Sequence, residues 1–327
     1  MANFERILLI RHSGIGDILF TLPAVNLVRM NFPGSRIVYC TKKRYAALLQ
    51  GFRAVDQVIA VDDEAFRHGN PLKIARHSWR LLRAVRAGGF DLAVDLHGFG
   101  ETGLIAWASR ARERWGIVRH FKRRFFYTAA ILRDPLLHSV DQGCQLLVTN
   151  GLRAFPPDNQ FQLPRQYLAE AEKLFTNCGL EAGRATIFIQ PFTSSKKKNW
   201  PLEKYLECAE RWRSLGWQVL FGGGPEEKKR LAGMSARFPA AAGRSGLLTT
   251  AGLMQLSTLT VGGDTGMLHL AVALGKPALM LMRQADPQYL PYRHPDWALV
   301  SPDPKTIAAI PAEAVIAAAS RIVKENP

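Results

Sequence analysis

The sequence has few cysteines and no long apolar run, and both absences narrow the kind of protein it can be. Four cysteines in 327 residues are scattered without CxxC spacing, which argues against a zinc site and against a disulfide scaffold. The N-terminus has no basic segment followed by an apolar one, and the most apolar stretch, residues 268–282, is interrupted by His269 and Lys276. We therefore expect a cytoplasmic protein that does not span a membrane and that meets one only from outside.

The glycine-rich loops of the common nucleotide-binding folds are also incomplete. After a first apolar run the chain reads SGIGDIL, where a dinucleotide fingerprint would need a third glycine in place of Leu19. The second predicted strand ends in Tyr39-Cys40-Thr41 and lacks the acidic residue of that fingerprint, and no GxxxxGK sequence followed by Ser or Thr occurs. A nicotinamide-dependent dehydrogenase is therefore disfavoured.

Acidic residues are few relative to basic ones. The chain has 43 Lys and Arg against 27 Asp and Glu, a net charge of +16, and the excess is densest in residues 110–124. Such a charge attracts nucleic acid, anionic lipid headgroups or a phosphorylated glycolipid, although a solvated basic surface without a partner would look the same. No RNA-binding signature, zinc-finger spacing or series of interleaved aromatics is present, so we predict no nucleic-acid partner.

Short β-branched runs alternate with helical spacing along almost the whole chain, a pattern typical of parallel sheets crossed by helices. We predict strands at residues 6–10, 36–40, 57–61, 91–96, 186–190, 218–222, 259–263 and 277–282. Residues 151–164 contain three prolines and are predicted to be a linker. The expected fold is α/β with two doubly wound domains, residues 1–160 and 161–305. A final helix at 306–324 is apolar on one face, which must be buried, and we expect this helix to pack on the first domain.

Ligands of such sheets bind at the carboxyl ends of the strands. After the first strand, Gly14 and Gly16 form a tight turn that presents Asp17 at the start of a helix. Asp17 is either a helix cap, favoured by the helix dipole, or a catalytic acid or base. The spacing alone leaves both interpretations open.

A second candidate follows the strand at 186–190. Hydroxyl groups at Thr193, Ser194 and Ser195 precede three lysines, Lys196 to Lys198, and then a helix beginning near residue 201. Hydrogen-bond donors and positive charge at a strand end suit a diphosphate without requiring a metal. A solvated lysine-rich loop is the alternative.

A third candidate, VGGDTGMLHLAVALGKP, begins at residue 261. Asp264, Thr265 and Gly266 open a helix whose N-terminal N–H groups would bind an anion, and His269 lies one turn further on the same face. Alternatively His269 belongs to the core and Asp264 is a cap. A glycine-rich turn at 221–230 also offers Glu226 and Glu227 to ribose hydroxyls, or simply two surface glutamates at a helix start.

Together these segments resemble glycosyltransferase family 9, the bacterial heptosyltransferases that build the inner core of lipopolysaccharide. The resemblance rests on SGIGDILFTLPA at 13–24, the stretch from 193 to 201 ending in KNWP, GGGPEE at 222–227, and GGDTGMLHLAVALGKP at 262–277. It implies a GT-B fold of two facing Rossmann-like domains, the first binding the acceptor and the second the sugar nucleotide. It also implies an inverting transfer from ADP-heptose to a phosphorylated glycolipid of the lipid A–Kdo type, without metal or other cofactor, at the cytoplasmic face of the inner membrane.

The resemblance also assigns roles to residues. By this correspondence Asp17 is the catalytic base, and Gly14 and Gly16 let the acceptor sugar approach the backbone. Lys198 stabilises the leaving diphosphate, with Thr193 and Ser194 as its hydroxyl partners, and Glu227 holds the adenosine ribose. In the sugar-nucleotide loop the matching residues are Asp264, Thr265, Gly266 and His269. Thr265 and Gly266 would contact phosphate, and Asp264 the heptose.

Two departures from the family pattern concern the ligands. Glu101 stands where a lysine is expected after the fourth strand, and residues 190–192 read Gln-Pro-Phe instead of a proline- or alanine-glycine start of the phosphate loop.

We expect the phosphates and acidic sugars of the acceptor to be bound by Arg119, Lys122 and Arg123. Alternatives are another sugar nucleotide, a protein or capsule glycan as acceptor, or a basic binding protein without turnover. The presence of Asp17 and Lys198 argues against the last.

Overall fold

The computed structural model describes residues 3–64, 70–233 and 237–326. The chain divides into two compact units, residues 1–159 and 160–327, each built on its own parallel sheet. Within the described residues, no helix is both long and apolar enough to cross a bilayer.

The first unit contains a six-stranded sheet in the order β3-β2-β1-β4-β5-β6. Its strands are β1 Arg6–Ile10, β2 Arg36–Lys42, β3 Gln57–Val61, β4 Leu92–Asp95, β5 Glu113–Val118 and β6 Ala129–Leu132. Its helices are α1 Ile15–Leu19, α2 Leu22–Asn31, α3 Pro71–Ala87, α4 Gly100–Ala108 and α5 Ser139–Thr149, with 3-10 helices at Lys43–Gly51 and Phe121–Phe126. Strands β1 and β4 are buried almost throughout, as expected for central strands covered by helices on both faces.

The second unit contains a five-stranded sheet in the order β11-β10-β9-β7-β8. Its strands are β7 Thr186–Gln190, β8 Gln218–Phe221, β9 Leu259–Gly263, β10 Ala278–Met282 and β11 Ala298–Val300. Its helices are α6 Arg165–Asn177, α7 Leu202–Ser214, α8 Lys228–Leu231, α9 Leu247–Leu256, α10 Gly266–Ala273 and α11 Ala312–Glu325, with 3-10 helices at Lys196–Lys198, Pro295–Trp297 and Ile307–Ala309.

The last helix lies in the second unit and not, as we expected, on the first domain. The buried residues of α11 include Val315, Ala319 and Ile322, and the helix packs against α7, β9 and β10. The segment before α11 is fixed to the same unit, because the Trp200 indole N–H donates to the Ile310 carbonyl at 3.0 Å. The sequence pattern showed an apolar face but did not identify its partner.

Candidate functional site

Asp17 lies in the first turn of α1, just after β1, and an arginine holds it there. The Arg11 guanidinium donates to the Asp17 carboxylate with one nitrogen and to the Leu96 carbonyl with another. The Arg11 side chain is only 10% exposed, whereas that of Asp17 is 32% exposed. Arg11 therefore fixes the carboxylate at the carboxyl end of the first sheet and leaves about a third of it accessible.

Gly14 makes room for the Asp17 carboxylate. Gly14 is the N-cap of α1 with φ of 82°, and a Cβ at this position would overlap the Asp17 side chain. Within the part of the chain that the structure describes, no backbone N–H donates to this carboxylate. Asp17 is therefore not a hydrogen-bonded helix cap, although its charge still faces the positive end of α1. Gly16, the second glycine of the turn, is buried.

A second group of side chains lies at the end of β4. The buried Asp95 carboxylate accepts from the backbone N–H groups of His97 and Gly98, at 2.8 and 3.1 Å, and from the Tyr127 hydroxyl at 2.6 Å. Burial raises the pKa of Asp95, and these three donors oppose the rise. Asp95 thus holds the loop after β4, and with it the His97 ring, in place.

His97 is a buried, uncharged histidine beside the loop that carries Asp17. Its Nε2 lies 3.2 Å from the Ser13 hydroxyl oxygen, and its Nδ1 has no hydrogen-bond partner among the described residues. Burial, with the positive charge of Arg11 next in importance, lowers the pKa of His97 to about 2. No sequence motif indicates a role for His97, because its partners are distant in the chain.

We expect His97 to make the protein less stable in acid. Its pKa is near 6.5 in an unfolded chain and about 2 when folded, so below pH 6.5 the unfolded state binds the extra proton. The free energy of unfolding should then fall by about 1.4 kcal/mol per pH unit as the pH drops from 6.5 towards 5. Urea unfolding of the wild type and of His97→Gln at both pH values measures this contribution, and the variant should show a shallower fall.

The exposed His120 provides the control for this test. The variant His120→Gln should keep the wild-type dependence on pH. If His97→Gln and the wild type lose stability equally between pH 6.5 and 5, His97 is protonated in the folded protein and the assignment is wrong.

A pocket of about 220 Å³ lies next to these loops in the first unit, and His12, Lys42, Asp63 and Glu101 contribute its charged or titratable side chains. His12 Nδ1 is 3.5 Å from a Glu101 carboxylate oxygen, and the hydrogen bond from His12 lowers the pKa of Glu101. Where a lysine was expected, the pocket therefore has a carboxylate paired with a histidine.

The structure brings two of the three predicted acceptor-binding residues to the loop after β4. The guanidinium groups of Arg119 and Arg123 lie over the Phe99 ring, 5.1 and 5.8 Å from its centroid. Arg123 also donates to the Gly98 carbonyl at 3.0 Å. Lys122 lies between them in the chain and is exposed.

In the second unit, Lys198, Asp264 and His269 form one polar cluster. The Lys198 ammonium is paired with one Asp264 oxygen, and His269 Nε2 lies 3.5 Å from the other. Burial alone would raise the pKa of Asp264, but the hydrogen bond and charge of His269 and those of Lys198 outweigh it, so this pKa is lowered. His269 is buried, yet it belongs to the cluster and not only to the core.

The end of β9 is shaped to receive the backbone of the lysine-rich loop. A Cβ on Gly263 would overlap the carbonyl oxygen of Lys198, and one on Gly262 would overlap that of Gln190. The absence of side chains at these two positions allows the loop after β7 to lie against β9. This contact brings Lys198 to the residue that follows β9, Asp264.

The hydroxyl residues of this loop differ in their surroundings. The Thr193 N–H donates to the Asn199 side chain at 2.8 Å, and the Thr193 hydroxyl donates to the Ser195 carbonyl at 2.9 Å. Ser194 is exposed. Thr193 therefore shapes the loop in this structure, while Ser194 faces solvent.

The start of α10 offers hydrogen-bond donors next to Asp264. Thr265 is the N-cap, its hydroxyl makes no capping bond, and Gly266 is the first helical residue. The first N–H groups of a helix have no acceptor within the helix, and the dipole makes this end positive. Together with Lys198, this helix start could bind a diphosphate.

Glu227, predicted to hold a ribose, is half-buried in the turn after β8. Its carboxylate accepts from the Gly224 N–H at 2.5 Å, whereas the preceding Glu226 is exposed. One carboxylate oxygen of Glu227 is thus already hydrogen-bonded within the turn. The roles of all these side chains in binding or catalysis remain predictions.

Comparison with known proteins identifies the family. The model of glycosyltransferase family 9 (heptosyltransferase) matches residues 78–306. Lipopolysaccharide heptosyltransferase 1 of Escherichia coli K12 is 25% identical over 292 residues, which cover 86% of this chain and 89% of the relative.

Two solved structures share the fold over nearly the whole chain. The glycosyltransferase of family 9 from Veillonella parvula is 22% identical, with a TM-score of 0.87, and the match covers 99% of this chain and 98% of that one. The Escherichia coli heptosyltransferase WaaC with ADP is 21% identical, with a TM-score of 0.76, and the match covers 98% and 100%. The predicted α/β fold of GT-B type is confirmed, and the chain belongs to glycosyltransferase family 9, the heptosyltransferase family.

Proposed function

We propose that this glycosyltransferase moves heptose from ADP-heptose to a lipid A–Kdo type acceptor of the lipopolysaccharide inner core, with inversion and without a metal. The observation that carries the proposal is the Lys198–Asp264–His269 cluster at the N-terminus of α10. A relative named lipopolysaccharide heptosyltransferase 1 and a related structure holding ADP support the choice of substrates.

The second unit is proposed to bind the donor. As the glycosidic bond breaks, negative charge develops on the departing ADP, and the preorganised donors and cations around it lower the barrier. Lys198, the Thr265 hydroxyl and the first N–H groups of α10 would supply them. Asp264 would accept hydrogen bonds from the heptose hydroxyls, and Glu227 from the ribose.

The first unit is proposed to bind the acceptor. Asp17 would take the proton of the attacking acceptor hydroxyl, with the Arg11 guanidinium fixing the carboxylate in one orientation. A carboxylate is a weak base, so its contribution depends on its position next to the hydroxyl and on exclusion of water. Arg119, Lys122 and Arg123 would bind acceptor phosphates.

The direct test is a thermal-shift screen of ADP-heptose, other ADP-sugars, UDP-sugars and GDP-sugars, followed by turnover with a Kdo-lipid A acceptor in the presence of EDTA. ADP-heptose should stabilise the protein most, and transfer should continue with EDTA present. Selective stabilisation by UDP-sugars would overturn the donor assignment, and activity restored only by Mg²⁺ would overturn the metal-free mechanism.

Glu101 favours a second candidate, a glycosyltransferase of the same family with a different acceptor. A carboxylate beside the pocket of the first unit repels a phosphate or an acidic sugar at this point. Turnover of ADP-heptose with a protein or capsule glycan acceptor, and none with Kdo-lipid A, would support this candidate over the first.

Reversing the charge of Arg119, Lys122 and Arg123 to Glu should raise the acceptor KM by roughly tenfold or more, because each basic side chain lost from an anionic surface weakens binding by about 1 kcal/mol. The KM for ADP-heptose should not change. Steady-state kinetics with each substrate varied in turn measures both constants.

The double variant Arg119→Glu and Lys122→Glu leaves the bond from Arg123 to the Gly98 carbonyl intact. It therefore separates charge from loop structure. As a control, Arg165→Glu and Lys173→Glu on α6 change the same charge in the second unit and should leave the acceptor KM as it is. An unchanged acceptor KM in the triple variant would contradict the prediction that these three residues bind the acceptor.

A further inference from the structure

One side of the first unit combines exposed aromatic and aliphatic side chains with arginines. We call it the basic-aromatic face; it comprises α3, α4 and the 3-10 helix Phe121–Phe126. Trp79 on α3 and Trp107 on α4 are 59% and 58% exposed, and Phe125 is 69% exposed. Leu72, Leu104 and Phe121 on the same three elements are also exposed. Large aromatic side chains exposed in one region mark an interaction surface more often than an ordinary solvated one.

A groove of about 740 Å³ lies in this face between α3 and α4. Its lining residues are Trp79, Leu82, Arg83, Arg86, Trp107, Ala108, Arg110 and Arg114. The Arg83 guanidinium lies over the Trp79 ring, 5.1 Å from its centroid. Among the described residues none of the four arginines forms an ion pair with a carboxylate, so their charge remains uncompensated at the groove.

The groove is continuous with the 3-10 helix through Arg114. This side chain donates to the Phe126 carbonyl at 3.1 Å and to the Ala111 carbonyl at 2.7 Å. Arg123, within the same 3-10 helix, donates to the Gly98 carbonyl in the loop after β4. The face therefore extends from the groove to the strand-end loop that carries His97.

Basic residues outnumber acidic ones in this part of the chain. Residues 70–133 contain thirteen Lys and Arg and four Asp and Glu. Of the four acidic side chains, Asp95 is buried and Glu113 is bonded to the Thr128 hydroxyl at 2.9 Å. Asp91 accepts from two backbone N–H groups of residues 5 and 6, and Glu101 on α4 is exposed and lies 3.5 Å from His12. The excess of basic groups therefore favours an anionic partner that also contacts tryptophan side chains.

We propose that the basic-aromatic face docks on a bilayer containing anionic phospholipid. Trp79 and Trp107 would lie at the level of the headgroups, where tryptophan is enriched in membrane proteins, and the groove arginines would contact lipid phosphates. The inference rests on the proposed function for its biological setting, because a lipid A–Kdo acceptor is embedded in a membrane, and it adds the surface that meets that membrane.

Vesicle sedimentation tests this without acceptor or nucleotide. The full-length protein should bind vesicles of phosphatidylglycerol and phosphatidylcholine and should not bind vesicles of phosphatidylcholine alone. Trp79→Ser with Trp107→Ser, and separately Arg83→Gln with Arg86→Gln, should each weaken vesicle binding; the loss of two arginines predicts a decrease of roughly thirtyfold. Circular dichroism checks that both variants are folded.

The matched control is Arg165→Gln with Lys173→Gln on α6, which removes two exposed charges from the second unit and should bind vesicles like the wild type. Equal binding to neutral vesicles, wild-type binding by both face variants, or binding of RNA without binding of vesicles would each overturn the proposal.

Turnover of ADP-heptose with a water-soluble acceptor fragment separates the two proposals. Vesicle binding without heptosyl transfer would support membrane docking and contradict the proposed function. Transfer to the fragment without vesicle binding would support the proposed function and contradict membrane docking.

Discussion

Replacing Asp17 with asparagine should lower kcat for heptosyl transfer by about 1,000-fold, the usual contribution of a positioned general base. Asparagine keeps the shape of the side chain and can still accept a hydrogen bond from Arg11, but it cannot take the proton of the acceptor hydroxyl. Because Asp17 is proposed to act on the acceptor and not on the nucleotide, the affinity for ADP-heptose should hardly change. Single-turnover kinetics and calorimetric titration with ADP-heptose measure the two effects.

Asp141 provides a matched control for this variant. It lies in the first turn of α5, so Asp141→Asn also removes an acidic residue from the positive end of a helix in the same unit. If Asp17 acts only through the helix dipole, both variants should lose a little stability and keep their activity. Asp17→Asn with more than a tenth of wild-type kcat would end the assignment of Asp17 as the base.

Replacing Lys198 with alanine should lower kcat by roughly 100- to 1,000-fold, the range found when one preorganised group that stabilises developing charge is removed. The variant should also bind ADP more weakly, because the phosphates lose a cation. Losing Lys198 leaves the partly buried Asp264 carboxylate with His269 as its remaining neighbour in the cluster, so the repulsion between this carboxylate and the diphosphate increases. Stopped-flow transfer assays and ADP titrations measure these effects.

The neighbouring lysine gives the sharpest comparison. Lys197 is exposed and precedes Lys198 in the same 3-10 helix, so Lys197→Ala changes the net charge of the loop equally. If the loop acts only as a diffuse positive region, the two variants should behave alike, and that result would contradict a specific role for Lys198. A double variant Lys198→Ala with Asp264→Asn should recover part of the ADP affinity, because it also removes the carboxylate whose negative charge Lys198 no longer offsets.

Eight strands could be predicted from the sequence because each contains a run of apolar residues. In central strands such as β1 and β7 these runs are needed because helices cover both faces of the sheet, and the edge strands β3 and β8 have them as well. Strands β5, β6 and β11 were missed. β5, ERWGIV, lies within the most basic stretch of the chain, where charged side chains at its start mask the pattern, and β6 and β11 are short strands at sheet edges.

The candidate site could be predicted in part. Short motifs at strand ends indicated Asp17, Lys198 and Asp264, because the residues that define each motif are neighbours in the chain. Contacts between motifs, in contrast, join residues that lie far apart in the chain. Lys198 and Asp264 are 66 residues apart, and His97 meets Ser13 across 84 residues, so their pairing depends on the order of strands in the sheet and not on spacing. The partner of the last helix was mispredicted for the same reason.

The need for glycine at position 263 comes from the backbone of another residue, Lys198. The space that a side chain would occupy at 263 is filled by the backbone of Lys198, so substitution there moves the lysine without touching its ammonium. Every residue other than glycine has a Cβ, so any substitution at position 263 requires the backbone at Lys198 to shift. Even alanine at position 263 would therefore disturb the Lys198–Asp264 ion pair, although residue 263 contributes no atom to that pair.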